Sequence, residues 1–263
     1  MSLAMNVEQH NAEIVDQFTR QAEPFSRRHA HTHEALLELM AECAGVRAGD
    51  SLLDIACGPG IVSCFLAKRV AHVTGLDMVP AMLERARQFQ AESKVENVAW
   101  KLGESTDLPF TDNTFDCAVT RFSFHHFLAP ATALREMARV SKPGGTVLVA
   151  DVAPSAETQA NFNLWEILRD PSHTRALTQA EFESIGKDAG LELVRKASYA
   201  MEMDLEGLLS SSFPRAGDAD KIRALFEEDI QTRQDSLGVA ARREDGVILL
   251  TYPVAVLAWQ KPI

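Results

Sequence analysis

The stretch Ser51-Leu-Leu-Asp-Ile-Ala-Cys-Gly-Pro-Gly60, continued by Ile61-Val-Ser-Cys-Phe-Leu-Ala-Lys-Arg69, constrains this chain more than any other. Leu52, Leu53 and Ile55 form an apolar run of strand length with Asp54 inside it. The run stops at a Gly58-Pro59-Gly60 turn, after which Ile61, Val62, Phe65 and Leu66 recur at helical spacing. A buried strand, a glycine turn and a helix that begins at once open a nucleotide-binding α/β unit. Glycine lets the backbone approach a ligand closely because no Cβ intervenes. A dinucleotide fingerprint spaces its glycines G-x-G-x-x-G, and the third place, counted from Gly58, is Ser63. Spacing alone leaves open which nucleotide is held, or whether the turn is only a tight connection.

The next segments repeat the strand–helix alternation. Val73 to Asp77 is a second short strand, and its terminal carboxylate stands about twenty residues beyond the turn, where such a group meets the hydroxyls of a ribose. Asp77 is equally placed to cap the helix of Met82, Leu83, Ala86 and Phe89, and apolar Met78 beside it suits an adenine face. Val98 to Leu102 is a third strand, leading into Gly103-Glu104-Ser105; Cys117 to Thr120 is a fourth, leading into Arg121-Phe-Ser-Phe-His-His-Phe127. Ser141-Lys-Pro-Gly-Gly145 turns a helix into the fifth strand, Thr146 to Asp151. Five such units call for a parallel sheet covered on both faces, with right-handed crossovers. Ligands bind beyond the carboxyl ends of parallel strands, so the loop from Arg121 to Phe127 should face the reactive end of the ligand.

Past residue 152 the alternation breaks. A helical stretch runs from Pro154 through Phe162, Trp165 and Leu168 to Arg169-Asp-Pro-Ser-His-Thr-Arg175. Thr178 caps a helix that closes at Gly190, Leu191 to Ser198 is a sixth strand, and residues 200–240 read as helical cover. Proline cannot donate to a ladder, so Val247 to Leu250 and Val254 to Trp259 read as two strand pieces joined at Pro253. At the other end, residues 6–30 form a polar lead-in with Ile14, Val15 and Phe18 on one face, and Leu36, Leu37, Met40 and Cys43 form a helix ending near Gly45.

Thirty-seven acidic against 26 basic side chains give a net charge of −11, which argues against nucleic acid or an anionic membrane as partner. No apolar run is long enough to span a membrane, and the N-terminus lacks the plan of a signal peptide. Cys43, Cys57, Cys64 and Cys117 show no C-x-x-C spacing and read as reduced, buried thiols, so the expected location is cytoplasmic. His29-Ala-His-Thr-His33 places three histidines at alternate positions without further ligands, and no metal is expected there.

Asp54-x-Ala56-x-Gly58-x-Gly60 resembles the first motif of the class I S-adenosylmethionine (SAM) methyltransferases, with Ala56 where many members carry glycine. Gly103-Glu104-Ser105 with Leu108-Pro-Phe-Thr-Asp-Asn-Thr-Phe-Asp116 is similar to a second family segment, with Glu104 at an acidic position, and Lys142-Pro-Gly-Gly145 to a third. These motifs span residues 51–151, and the likeness covers most of 34–263. It implies an α/β, doubly wound, Rossmann-like sheet of seven strands in the order 3-2-1-4-5-7-6, the last antiparallel. Residues 1–33 would be a helical lead-in or lid, and 152–177 and 200–245 helical insertions covering the acceptor side. The branch it resembles contains ubiquinone/menaquinone C-methyltransferases and many other small-molecule enzymes, and Arg169 to Arg175 with the Thr251-Tyr-Pro-Val ending resemble a bacterial subgroup of it.

By that likeness SAM is the cofactor and S-adenosylhomocysteine (SAH) the product. Asp54, Ala56, Gly58, Gly60, Asp77, Met78, Gly103, Glu104, Ser105 and Arg121 would hold it, with Glu104 at the adenine amino group and the Ser105 N–H at a ring nitrogen. SAM carries its methyl on a sulfonium already activated toward nucleophiles, so the protein must chiefly align the acceptor and exclude water. A general base serves only an acceptor that must lose a proton. His126, in the loop after the fourth strand with His125, and His173 are the candidates, since histidine titrates near neutral pH. Phe25, Trp165 and Arg175 are candidate pocket residues for a small, largely apolar or aromatic acceptor methylated at O, N or C. Relatives often carry tyrosine near Phe25, whose ring lacks that hydroxyl. Two other readings fit the fold: an NAD(P)-dependent oxidoreductase, for which a third glycine and a Tyr-x-x-x-Lys set are missing, and a non-catalytic SAM-binding protein. A homodimer is compatible with either.

Overall fold

A computed structural model describes residues 6–29 and 34–263, with side chains for 6–22 and 34–263. Helices α1 (Val7–His29) and α2 (Glu34–Ala44) precede the alternating part of the chain. That part runs β1 (Ser51–Ile55), α3 (Ile61–Ala67), β2 (His72–Asp77), α4 (Pro80–Ser93), β3 (Val98–Leu102), β4 (Phe115–Arg121), α5 (Pro130–Val140) and β5 (Ser141–Val152). It is followed by α6 (Gln159–Arg169), α7 (Gln179–Asp188), β6 (Glu192–Asp204), α8 (Leu205–Ser212), α9 (Asp218–Thr232), β7 (Arg242–Glu244) and β8 (Val247–Gln260).

The strands lie in the order β3-β2-β1-β4-β5-β8-β6, with short β7 paired to β8 as an eighth. Pairings from β3 across to β5 are parallel, whereas β8 runs antiparallel to both β5 and β6. This is the expected winding, with the last strand numbered eight because the short β7 precedes it. Residues of β1, β4 and the end of β5 are buried almost without interruption, as strands covered on both faces must be. Successive side chains enter opposite cores: Leu52 belongs to the core that α2, α3, α6 and α9 share, and Leu53 to the one that α5 and α7 share.

Two expectations fail at the C-terminal half. β8 is one continuous strand through Pro253, which pairs with Ala200 of β6. The proline carbonyl accepts from Ala153 N at 2.7 Å, on the β5 side, where the β5 ladder ends at Val152 opposite Val254. N and O of one strand residue share a side, so the missing N–H faces Ala153 just past the end of the β5 ladder, and only the return bond of that last pair is lost. β6 likewise extends to Asp204, so residues 200–204 are strand; the Asp204 side chain then caps α8 by accepting from Gly207 N at 2.5 Å.

Gly60 shows what the turn after β1 requires. Its φ is +82°, and a Cβ there would lie 2.6 Å from Trp100 Cη2 and 3.1 Å from Ala86 Cβ. The glycine thus serves the packing of α3 against β3 and α4. Gly60→Ala is expected to destabilise the protein by about 2–5 kcal/mol, the sum of left-handed backbone strain and overpacking. Thermal melting reads this, and an unmoved midpoint would remove the packing account.

Candidate active site

The carboxyl ends of β1 to β4 converge under α1 on a cavity of about 260 Å³. Asp54, in β1, is almost fully buried, and its Oδ2 accepts from Ser63 Oγ at 2.6 Å. Burial pushes its pKa up to about 7, against the pull of that hydrogen bond and of Arg121. The chain then turns through Ala56 at φ +52° and Gly58 at φ +53°. A left-handed alanine costs about 1–2 kcal/mol that a glycine would not, strain of the kind retained at functional turns.

Asp77, at the end of β2, holds the turn in place. Its Oδ2 accepts from Gly58 N and its Oδ1 from Val79 N, each at 2.8 Å. Every carboxylate oxygen has two acceptor sites, so these two bonds leave the carboxylate able to accept more. Burial raises Asp77 to about 6 although these backbone bonds oppose the rise. Asp54, Ala56, Gly58, Asp77 and Met78 line the cavity, as do Gly103, Glu104 and Ser105 after β3. Arg121 closes β4 at the same wall, buried, and its Nη1 has no partner among the described residues. Burial lowers its pKa to about 10, the Asp54 charge working the other way.

A 3-10 turn, Phe124–His126, follows β4 and is set by Asp151 at the end of β5. That carboxylate accepts from Ser123 N (3.1 Å), Phe124 N (2.7 Å), Val152 N (2.7 Å) and His125 Nδ1 (2.6 Å). Burial disfavours a charged His125, yet the Asp151 charge and hydrogen bond outweigh it and raise its pKa. His125 is therefore a clamp on the turn, and His126 is the histidine that lines the cavity. His126 Nδ1 lies 3.0 Å from Ser172 O and 3.2 Å from Ser172 Oγ, whose own hydrogen goes to Asp170 Oδ1 at 2.6 Å. Both neighbours can only accept, so the ring proton is on Nδ1 and Nε2 keeps its lone pair. Burial, with the adjacent His125, pushes the pKa of His126 down, and the ring is neutral at neutral pH.

Four expected site residues lie elsewhere. Gly60 packs on Trp100 as described. His173 is sealed in the protein: Nε2 meets Asn163 Oδ1 at 2.7 Å, an oxygen that also accepts from Ala176 N, and burial holds the ring uncharged. Trp165 is fully buried, edge-on to Phe162 and Phe226 at 5.5 and 5.3 Å between ring centres, because α6 and α9 bury their apolar faces against each other. Arg175 is half-exposed and pairs with Glu181. The side chain of Phe25 and residues 30–33 of the histidine run lie outside the described part of the chain. No residue of 152–177 or 200–245 lines the cavity.

Its cover is α1. Ile14 and Phe18 join Met78, Val79 and Met82 of the β2–α4 segment, while Gln17 and Gln21 donate to the Ser212 carbonyl. His10, unremarked in the sequence, lines the cavity and lies 2.7 Å by Nε2 from the His126 carbonyl. The signal was present: His10, Ile14 and Phe18 are spaced four apart, on one helical face. Among the described residues no cluster of histidine, cysteine or carboxylate side chains could hold a metal, and no helix is long and apolar enough to cross a membrane.

A doubly wound sheet with this strand order, an acid at each of the first two strand ends and a cavity beyond them, is the architecture of a class I methyltransferase. Residues 53–149 match the methyltransferase-domain family. The chain belongs to the SAM-dependent methyltransferases, which sets aside the oxidoreductase reading. It is 35% identical over 170 residues to the uncharacterised methyltransferase YcgJ of Bacillus subtilis, covering 64% of this chain and 67% of that one. It is 32% identical over 182 residues to the ubiquinone/menaquinone biosynthesis C-methyltransferase UbiE of Roseobacter denitrificans, covering 64% and 73%. The crystal structure of YcgJ superposes with a TM-score of 0.81 at 26% identity, covering 88% of this chain and all of that one.

Proposed function

We propose that the protein transfers the methyl group of SAM to a small, largely apolar acceptor bound beside His126. The observation that carries this reading is the cavity wall itself: a buried carboxylate, Asp54, that feels the charge of a buried guanidinium, Arg121, whose Nη1 has no partner among the described residues. An α-amino acid end presents an ammonium and a carboxylate, the complement of that pair. Free acceptor sites on Asp77 suit a ribose diol, and Glu104 with the Ser105 N–H suits an adenine edge. SAM supplies a methyl already activated by its sulfonium. The chain's own work is to bind the adenosyl and amino-acid ends, exclude water with α1, and take a proton at His126 Nε2 from an acceptor that must lose one. Ile14, Phe18, Phe127 and Leu128 offer the acceptor an apolar wall. The Roseobacter relative's name places it in ubiquinone and menaquinone biosynthesis, and an aromatic acceptor is consistent with that wall.

SAM and SAH are expected to bind with micromolar affinity by calorimetry, and labelled SAM to yield a methylated product in a metabolite extract; heat with NAD and none with SAH would overturn the reading. The binding should also carry a proton signature. Without ligand, Asp54 has a raised pKa, so its contribution to stability is full below pH 4 and lost as pH rises through about 7. An ammonium placed beside it reverses the preference and lowers that pKa. SAH binding near pH 6.5 should then release a proton, and affinity should fall as pH drops from 8 to 6. Calorimetry in buffers of different ionisation enthalpy measures this, and proton uptake or none would remove Asp54 from the ammonium site.

A further inference from the structure

His10 is buried to 1% exposure and borders the cavity, yet among the described residues only one of its ring nitrogens is used. Nε2 meets the His126 carbonyl at 2.7 Å; a carbonyl only accepts, so the proton is on Nε2 and Nδ1 carries the lone pair. Nδ1 is buried with no hydrogen-bond partner among the described residues. A buried acceptor left unsatisfied costs about 1–3 kcal/mol, recovered when a donor arrives. His10 lines the cavity, and His126, tied to His10 through its carbonyl, borders the same space. Nearby, Phe18 lies edge-on to His126 at 4.9 Å between ring centres.

We propose that His10 is a substrate-positioning residue that selects an acceptor bearing an O–H or N–H, which donates to His10 Nδ1. The proposal rests on the methyltransferase reading and narrows it. An apolar wall with two imidazole lone pairs, at His10 Nδ1 and His126 Nε2, favours a neutral protic molecule over an anion or a hydrocarbon of the same shape. The fixed His10–His126 link makes α1 part of acceptor recognition as well as cover. Its expected consequence is loss of discrimination between a hydroxyl and a methyl group when Nδ1 alone is removed.

The test uses the SAH-loaded full chain and two isosteric probes, 4-ethylphenol and 4-ethyltoluene, titrated by NMR. His10→Gln keeps a side-chain N–H near the place of Nε2, and with it the bond to the His126 carbonyl, while lacking an acceptor at Nδ1. Affinity for 4-ethylphenol should fall about five- to tenfold, with 4-ethyltoluene and SAH affinities unchanged. Unchanged 4-ethylphenol affinity, or an equal fall for both probes, would overturn the proposal. Failure of the unaltered protein to bind SAH would instead bring down the methyltransferase reading, and this proposal with it.

Discussion

Asp77→Ala is expected to weaken SAH binding about 100-fold or more while leaving a folded protein. Two charge-assisted hydrogen bonds to a ribose diol are worth about 1.5–3 kcal/mol each, and 1.4 kcal/mol is a factor of ten. The loss exceeds those contacts, because the same carboxylate takes Gly58 N and Val79 N and so shapes the turn the cofactor approaches. Asp77→Asn disturbs the turn as well. Its amide oxygen can take one of these N–H groups, but its amide nitrogen meets the other as a second donor. The asparagine variant should therefore also lose SAH affinity and melt below the unaltered protein. Calorimetry at pH 8, where Asp77 is ionised given a pKa of about 6, checks the first result. Retained affinity in the alanine variant would mean that no ligand touches this carboxylate.

Much of this site is legible in the sequence because its residues sit at strand ends. A strand's end is marked by the first break in an apolar run, so Asp54, Asp77, Glu104 and Arg121 can be ranked along one sheet edge before any coordinates exist. The structure brings all four to one cavity. What lies beyond the sheet is not marked in that way. Trp165 and His173 look like pocket residues because aromatic and titratable side chains in an unpatterned segment attract notice, but α6 turns Trp165 inward against α9 and Asn163 takes up His173. The contribution of α1 is hidden for the opposite reason. His10 is polar, so it drops out of a search for apolar faces although it continues the Ile14–Phe18 stripe. Pro253 misleads because a ladder has two sides, and sequence does not show on which side the missing donor falls. Gly60 matches the family motif, but close packing against Trp100 gives it a role that requires no ligand.

His126→Asn is expected to lower kcat about 10²- to 10⁴-fold, the range for loss of a general base, with SAH affinity unchanged. The choice of asparagine follows from the hydrogen bonds. Its amide N–H can replace Nδ1–H toward the Ser172 carbonyl, so the loop keeps its anchor, and the lone pair of Nε2 disappears. Burial and the neighbouring His125 hold the imidazole neutral, which keeps Nε2 ready to accept even in mildly acidic solution. Sign matters for stability as well. A histidine whose folded pKa lies below its unfolded value is penalised only as pH falls below about 6.5, where the unfolded chain takes up the proton first. His126 and His173 both act in that direction, so acid should unfold the protein partly through them, and His126→Asn should lessen that acid sensitivity while abolishing most turnover. Asp151→Asn is the contrast. It weakens the His125 clamp and the acceptor shared by Ser123 N and Phe124 N, and should lower the melting point at all pH values. Full turnover in His126→Asn would make this histidine a strut of the turn, and would leave the acceptor's proton to solvent.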